Sequence, residues 1–213
     1  MTIQEYAAQR GINVLLHFTR VDNLDSIMRH GLCLPTECVE KGITTVSNDG
    51  YRLDGTDSIC VSIAYPNYKM FFRYRCENPT VKWVILVLRP AILWETDCAF
   101  CVTNAASNTV TSVPLAQRRG VAAFEKMYDA FEGKVRADLQ IPERFPTNPQ
   151  AEVLLLEGAP RKYIAGLIFD WAPLQTTHKA KYENNKEYPG LKTYLYANYF
   201  KPRIDYVSWP KNG

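Results

Sequence analysis

Residues 15–32 read LLHFTRVDNLDSIMRHGL and join a short apolar run to a helical pattern. The apolar run predicts a strand over 14–19. The residues that follow predict a helix over 21–30, with Asp22 or Asn23 as its cap and Gly31 as its stop. The segment therefore places the tripeptide His17-Phe18-Thr19 where a strand ends and a helix begins.

That tripeptide is the first candidate site. Polar side chains at such an edge of a sheet can face a ligand. A lone histidine in a strand is also often a buried residue that makes structural hydrogen bonds. The segment alone leaves both interpretations open.

The rest of the chain contains several short strands and few helices. Apolar runs predict strands over 58–64, 82–89, 152–157 and 163–170, and further helices are predicted over 2–9 and 116–131. The strands do not recur at the regular spacing of βαβ units. The pattern therefore predicts an α+β fold, in a single domain over 1–213, rather than a doubly wound sheet.

The composition is that of a globular protein. Of 213 residues, 46% are hydrophobic and 22% are charged, which excludes a disordered, collagenous or coiled-coil chain. No run approaches the ~20 apolar residues that a membrane-spanning helix needs. The start, MTIQEYAAQRG, lacks the charged and apolar segments of a signal peptide. We therefore expect a soluble, cytoplasmic protein.

The six cysteines are expected to be reduced thiols, since no signal peptide precedes them. Cys98 and Cys101 form the one close pair. A zinc site would need two more ligands at comparable spacing, and the histidines, at 17, 30 and 178, are scattered. We therefore expect no metal.

Positive charge and aromatic rings are unevenly distributed. From Arg161 onward there are nine basic and four acidic residues, which suits a polyanion or simply a solvated surface. Residues 65–75, YPNYKMFFRYR, hold five aromatics and three cations without an acid. Single-stranded nucleic acid favours that pairing. An amphipathic element whose rings belong to the core would show the same pattern.

Two further features are weak when taken alone. Residues 33–57 predict a long irregular loop with Arg52 between Gly50 and Gly55, and loops of this length in a domain are usually functional. Glu152 opens an apolar strand directly after a loop. Its carboxylate could accept a proton, or bond a ribose hydroxyl while positive charge develops on the sugar. It could equally be a surface strand end.

In their order and combination these segments resemble the DarT family of DNA ADP-ribosyltransferases, toxins of bacterial toxin–antitoxin pairs. The resemblance covers essentially the whole chain. It rests on residues 15–32, on the loop that reaches Arg52, and on three blocks: YPNYKMFF (65–72), LWETDCAFCVTNAA (93–106) and NPQAEVLL (148–155). The segment between Arg52 and the aromatic block is shorter and less basic than in thymine-modifying members. Guanine and thymine therefore both stay open as the target base.

The resemblance implies an ADP-ribosyltransferase fold: a split, bent pair of β-sheets with flanking helices and NAD, the co-substrate, in the cleft between them. Loop 33–57 corresponds to the element that covers NAD. Tyr68 or Phe72 is expected to stack on nicotinamide. The residues implied in NAD binding are His17, Phe18, Thr19, Ser26, Leu34, Arg52, Tyr68 and Phe72.

The resemblance also implies that Arg52 and Glu152 are the catalytic residues. Breaking the nicotinamide–ribose bond leaves an oxocarbenium-like sugar, which needs a nearby carboxylate. Glu152 would bond the ribose 2′-hydroxyl and help to remove the proton of the attacking base nitrogen. The planar cation of Arg52 would bind the pyrophosphate. The implied reaction is a pentosyl transfer that moves one ADP-ribose to a DNA base and releases nicotinamide.

A base can attack only when it is unstacked, so single-stranded DNA is the expected substrate, recognised by a loop at about 117–150. The candidate DNA-backbone contacts are Arg73, Arg75, Arg118, Arg119 and Arg144. The implied partner is an antitoxin that removes ADP-ribose, a macrodomain or another hydrolase, and the toxin itself is expected to be a monomer. Two alternatives stay open: the same fold acting on RNA, a protein or a small molecule, and a non-catalytic module that binds single strands.

Overall fold

The computed structural model describes residues 1–46 and 55–209, whose strands form one mixed sheet with helices packed on it. The seven strands of this part are β1 (Leu15–Arg20), β2 (Ile59–Ile63), β3 (Trp83–Leu88), β4 (Cys98–Cys101), β5 (Glu152–Leu155), β6 (Ile164–Phe169) and β7 (Lys192–Leu195). The helices are α1 (Ile3–Gln9), α2 (Leu24–His30), α3 (Pro35–Glu40), α4 (Tyr68–Glu77), α5 (Ile92–Glu95), α6 (Asn108–Thr111), α7 (Gly120–Lys126), α8 (Arg136–Leu139) and α9 (Ala172–His178). The predicted α+β class is confirmed.

Most predicted elements lie within one or two residues of their observed bounds, because their burial pattern is local. In β3, for example, all six side chains are buried. Two predictions were wrong in detail. The helix expected over 116–131 is a 3-10 turn followed by α7, because Gly120, where α7 begins, has a φ of 78°, a left-handed value that interrupts a helix. The loop 33–57 contains α3, which begins at a proline.

The strand order is β4-β5-β2-β1-β3-β6-β7, antiparallel except for the parallel pair β6 and β7. β1 pairs with β3 along its whole length. It pairs with β2 only through Leu15 with Ile63 and Leu16 with Ser62. The expected pair of sheets is therefore joined into one sheet at this junction, and beyond it β1 and β2 part.

Both faces of the sheet are covered. The larger core packs α1, α2, α7 and α9 against one face. On the other face, α4 and residues 199–200 cover β1, β3 and β6, while residues 102–115 cover β4 and β5. These two groups of segments leave an opening between them, at the point where β1 and β2 part.

Two glycines hold the segment after α2 against the segment after β5. Leu32 and Ala159 exchange both backbone hydrogen bonds, at 2.9 and 2.8 Å. Gly31 and Gly158 have φ values of 81° and 69°, and a Cβ at either would lie within 2.5 Å of the facing carbonyl oxygen. Only glycine allows this approach, which anchors the start of the long loop beside the strand that carries Glu152.

Candidate active site

A cavity of about 470 Å³ opens where β1 and β2 part. Its walls come from these two strands, from α2 and the segment 31–46, from α4, and from residues 104–106. Five of the residues implied in NAD binding or catalysis line it together: His17, Phe18, Thr19, Ser26 and Glu152.

Glu152, the first residue of β5, is buried in the wall of this cavity, with 3% of its surface exposed. The backbone N–H of Ala105 donates to its Oε2 at 2.9 Å, and Asn67 Nδ2 donates to its Oε1 at 3.2 Å. Both carboxylate oxygens are therefore held by N–H donors. The residue is thus part of a built polar site and not an exposed strand end.

His17 bridges the gap where β1 and β2 part. Its Nδ1 lies 2.8 Å from the carbonyl oxygen of Cys60. A carbonyl can only accept, so Nδ1 carries the proton, and Nε2 of the neutral ring is an acceptor. Burial lowers the pKa of His17, and the bond to Cys60 opposes that shift only partly. The imidazole is therefore neutral at neutral pH.

This lowered pKa predicts a pH dependence of stability. Below about pH 6.5 the unfolded chain takes up a proton at His17 that the folded chain resists. The stability conferred by the neutral ring is thus complete above that pH and is lost as the pH falls. The variant His17→Asn keeps an N–H donor near Cys60 and has no group that titrates at this position. We expect the wild type to lose up to about 1.4 kcal/mol per pH unit relative to this variant.

Urea unfolding of both proteins between pH 8 and pH 5 measures this difference, in which the carboxylates common to both cancel. A difference that is constant, or that grows in favour of the wild type as the pH falls, would contradict a lowered pKa for His17.

The loop that follows α3 is tied to the end of β1. Asn23 Nδ2 donates to Thr19 Oγ1 and to the carbonyl of Val46, both at 3.0 Å, and the Val46 N–H donates to Asn23 Oδ1 at 2.8 Å. Asn23, predicted only as a possible helix cap, thus fixes the loop beside the cavity. Arg52, the other residue predicted as catalytic, lies outside the described residues.

The cavity side of α4 differs from the expected one. Met70 and Tyr74 line the cavity, whereas Tyr68 and Phe72 do not. Both pairs are four residues apart, and two residues rotate a helix by about 200°, so the pairs occupy opposite sides. Phe72 is 63% exposed. Tyr68 is buried near the side chains of Arg203 and Asp205, and burial raises its pKa to about 12, with a further contribution from Asp205.

Phe18 and Leu34, which were also predicted to contact NAD, differ in their position relative to the cavity. Phe18 stacks on Phe71 of α4 with ring centroids 4.5 Å apart, so its ring joins the core beside the cavity. Leu34 precedes α3 and does not line the cavity, although its neighbours Cys33 and Pro35 do.

The five predicted DNA-contacting arginines are in different environments. Arg73 and Arg144 are exposed, the first 3.8 Å from Glu77 and the second over the ring of Phe145. Arg75 donates to the carbonyl of Phe200.

The other two arginines lie near β4. Arg119 pairs with Asp97 at 3.1 Å and is partly exposed. Arg118 is buried against the thiol of Cys101, and its Nε has no hydrogen-bond partner among the described residues.

Side chains that could bind a metal are dispersed within residues 1–46 and 55–209. In this part of the chain, no group of three or more His, Cys, Asp or Glu side chains is placed to hold a metal ion. None of the six cysteines is in a disulfide. None of the described helices is long and apolar enough to cross a membrane.

The sequence model of the family described as DarT, ssDNA thymidine ADP-ribosyltransferase, matches residues 16–184. The chain belongs to the DarT family. The match includes every residue that lines the cavity, Glu152 among them. It confirms the resemblance noted in the sequence. The activity of this family is the NAD-dependent ADP-ribosylation of single-stranded DNA.

Solved DarT structures share the fold at low sequence identity. Thermus sp. 2.9 DarT in complex with carba-NAD⁺ is 13% identical, with a TM-score of 0.62 over 89% of this chain and 98% of that one. The same protein with ADP-ribosylated ssDNA has a TM-score of 0.59, at 13% identity, over 90% of this chain and 97% of that one.

Thermosipho africanus DarTG with ADP-ribose is 15% identical, with a TM-score of 0.59 over 88% of this chain. This chain spans about half of that DarTG chain, 51% of its length. A search of curated proteins finds no match.

Proposed function

We propose that residues 1–213 form one domain that transfers a single ADP-ribose from NAD to a base of single-stranded DNA and releases nicotinamide. The observation that carries this proposal is the buried Glu152 carboxylate, held by two N–H donors in a cavity that it shares with His17 and Thr19. The described part of the chain thus combines a negative charge with a cleft in a DarT fold.

The geometry supports the following reaction. The bond between ribose C1′ and the nicotinamide nitrogen breaks, and its electron pair leaves with nicotinamide, which becomes neutral. The Glu152 carboxylate stabilises the positive charge that develops on the sugar. A base nitrogen then bonds to C1′, and its proton passes to the carboxylate or to water. Because Glu152 is buried, its charge acts in a medium of low polarity, where such stabilisation is strongest.

NAD is placed by the other residues of the cavity. Nε2 of the neutral His17 can accept a hydrogen bond from a ribose hydroxyl, and Ser26 of α2 can add another. Stacking on nicotinamide was expected of Tyr68 or Phe72. It is instead proposed for Tyr74, which lines the cavity. Arg52 is retained as the residue that binds the pyrophosphate.

The DNA strand is proposed to approach over the loop before β5. Arg144 is exposed there, eight residues before Glu152, and its guanidinium lies 5.2 Å from the centroid of the Phe145 ring. Phe145 is buried in the core, so the exposed Arg144 would act by contacting a phosphate of the strand. A DarT structure that contains ADP-ribosylated ssDNA supports this class of substrate. The family description names thymidine, so thymine is the first acceptor to test.

Membership in a toxin–antitoxin family implies a partner. We propose an antitoxin that hydrolyses the ADP-ribose–base bond, of the macrodomain kind or of another fold. The toxin is proposed to act as a monomer in the cytoplasm, where single-stranded DNA and NAD are both present.

The test is to incubate the purified chain with NAD and four DNA oligonucleotides, each lacking one base. Mass spectrometry is expected to show the mass of one ADP-ribose added to three of them, and none added to the oligonucleotide that lacks the acceptor base. An RNA oligonucleotide and a protein mixture serve as competing acceptors.

Modification of RNA or protein instead of DNA would identify another acceptor class for the same fold. If NAD is bound but no acceptor is modified and no nicotinamide is released, the transferase proposal is wrong.

A further inference from the structure

We propose that Asn67 is the residue that positions the Glu152 carboxylate toward the NAD ribose and couples it to the α4 wall of the cavity. This inference rests on the proposed function, since it assigns a role in orienting the same carboxylate. Neither the aromatic pattern of residues 65–75 nor the family resemblance pointed to Asn67.

Asn67 is fully buried, with none of its surface exposed, and each of its polar side-chain groups has a partner. Its side-chain Nδ2 donates to Glu152 Oε1 at 3.2 Å. Its Oδ1 accepts the backbone N–H of Met70 at 3.3 Å, as the N-cap of α4. Its own N–H donates to Ser62 Oγ at 3.0 Å. One side chain thus joins the start of a helix to the carboxylate.

The helix cap decides which way the amide faces. Because the oxygen of Asn67 accepts from Met70, the NH₂ group must face Glu152. A rotated amide would point its oxygen at the carboxylate and lose both bonds. The N–H donor that Glu152 receives is therefore set by the geometry of α4, which also supplies Met70 and Tyr74 to the cavity.

The chain reaches this position through a tight turn after β2. Ala64 has a φ of 59°, and the N–H of Tyr65 donates to the carbonyl of Ile63 at 2.7 Å, a turn of three residues. β2 and β5 are in register up to the pair of Val61 and Val153, so Ser62 comes next beside Glu152. The turn brings Asn67 back over this pair.

The two N–H donors act on different oxygens of Glu152. Ala105 holds Oε2, and Asn67 holds Oε1, so together they fix the plane of the carboxylate. On the other side, the thiol of Cys101 is the cross-strand neighbour of Glu152 on the same face of the sheet, and the guanidinium of Arg118 contacts that thiol. Loss of the Asn67 donor would let Oε1 turn away from the sugar.

Three variants test this role. Asn67→Asp keeps the helix cap but places a second carboxylate against Glu152. Asn67→Ser also keeps a good cap but cannot reach Glu152. Asn185→Asp is the matched control: it makes the same change of charge at an exposed asparagine that accepts the N–H of Glu187. The measurements are kcat and KM for transfer to DNA, the affinity for NAD, and the pH dependence of kcat.

We expect Asn67→Ser to lower kcat by about 10-fold and Asn67→Asp by about 100-fold, with NAD affinity within about threefold of the wild type. Two adjacent carboxylates share a proton, so the acid limb of the kcat profile of Asn67→Asp should move to higher pH. The profile of Asn67→Ser should move in the same direction but by less, because this variant removes a donor from the Glu152 carboxylate without adding a charge. Asn185→Asp should match the wild type in every measurement.

Wild-type kcat and pH profile in both Asn67 variants would overturn the inference, and a role in capping alone predicts that result. If neither variant binds NAD, Asn67 serves folding and the inference is also overturned. If the wild type and Asn185→Asp bind NAD but modify no DNA, the proposed function fails instead, whatever the Asn67 variants do.

Discussion

Replacing Glu152 with glutamine is expected to lower kcat for ADP-ribose transfer by ~10³-fold, while NAD affinity stays within about threefold. Glutamine has the size of glutamate but no charge, so it no longer stabilises the cation that develops on the ribose. Single-turnover transfer to an oligonucleotide measures the rate, and calorimetry measures NAD binding.

Glu157→Gln is the matched control, because it makes the same change in an exposed residue just beyond the other end of β5. It should transfer at the wild-type rate. A Glu152→Gln variant within 10-fold of the wild type would contradict the assignment of the catalytic carboxylate.

Glutamine disturbs the site less than alanine, because its Oε1 can still accept from one of the two donors while its NH₂ group faces the other. The carboxylate of Glu152 is buried and accepts from Ala105 and Asn67, so alanine would leave both donors unpaired, at about 1–3 kcal/mol each. An exposed residue at the end of a strand would contribute little to folding, but Glu152 is buried. Its burial means that loss of activity in an alanine variant would combine lost chemistry with lost stability.

Replacing Arg203 with methionine is expected to lower the free energy of unfolding by about 3–5 kcal/mol, the largest effect we expect on stability. Arg203 is 1% exposed and makes a two-pronged ion pair with the buried Asp205. It also donates to the carbonyls of Pro146 and Thr147, at 2.8 and 2.7 Å. Its loss leaves a buried carboxylate without its cation.

Urea unfolding measures the loss, with Lys181→Met as the control. Lys181 pairs with Asp25 where both side chains are about half exposed, so that change should cost no more than about 1 kcal/mol. In the double variant Arg203→Met/Asp205→Leu no charge is left uncompensated, and we expect it to be more stable than Arg203→Met. A loss below about 1 kcal/mol in Arg203→Met would contradict the role of this ion pair.

Arg203 also bonds to the segment that precedes Glu152. It lies outside residues 16–184, which match the family. Its bonds nevertheless hold the carbonyls of Pro146 and Thr147, in the segment that leads into Glu152. Arg203 therefore stabilises the segment that leads into β5.

The sequence of residues 65–75 did not predict which side of the helix faces the cavity. The pattern of rings and cations suited either a contact with single-stranded nucleic acid or an amphipathic element, and α4 is amphipathic. It could not show that Met70 and Tyr74 face the cavity and that Tyr68 and Phe72 do not. The two residues of each pair are four positions apart, so both pairs fit the same helical pattern. Only the packing of the helix on the sheet decides which pair faces the cavity.

The sequence by itself determined five of the seven described strands, the helices α1 and α2, the His17-Phe18-Thr19 edge and the carboxylate at the start of β5. These follow from runs of apolar residues and from signals that lie within a few positions of one another. The tertiary structure alone decided that β1 and β2 part to open a cavity, and that Asn67 meets Glu152. Those two residues are 85 positions apart, and no local pattern encodes a contact that only the packing of α4 on the sheet creates.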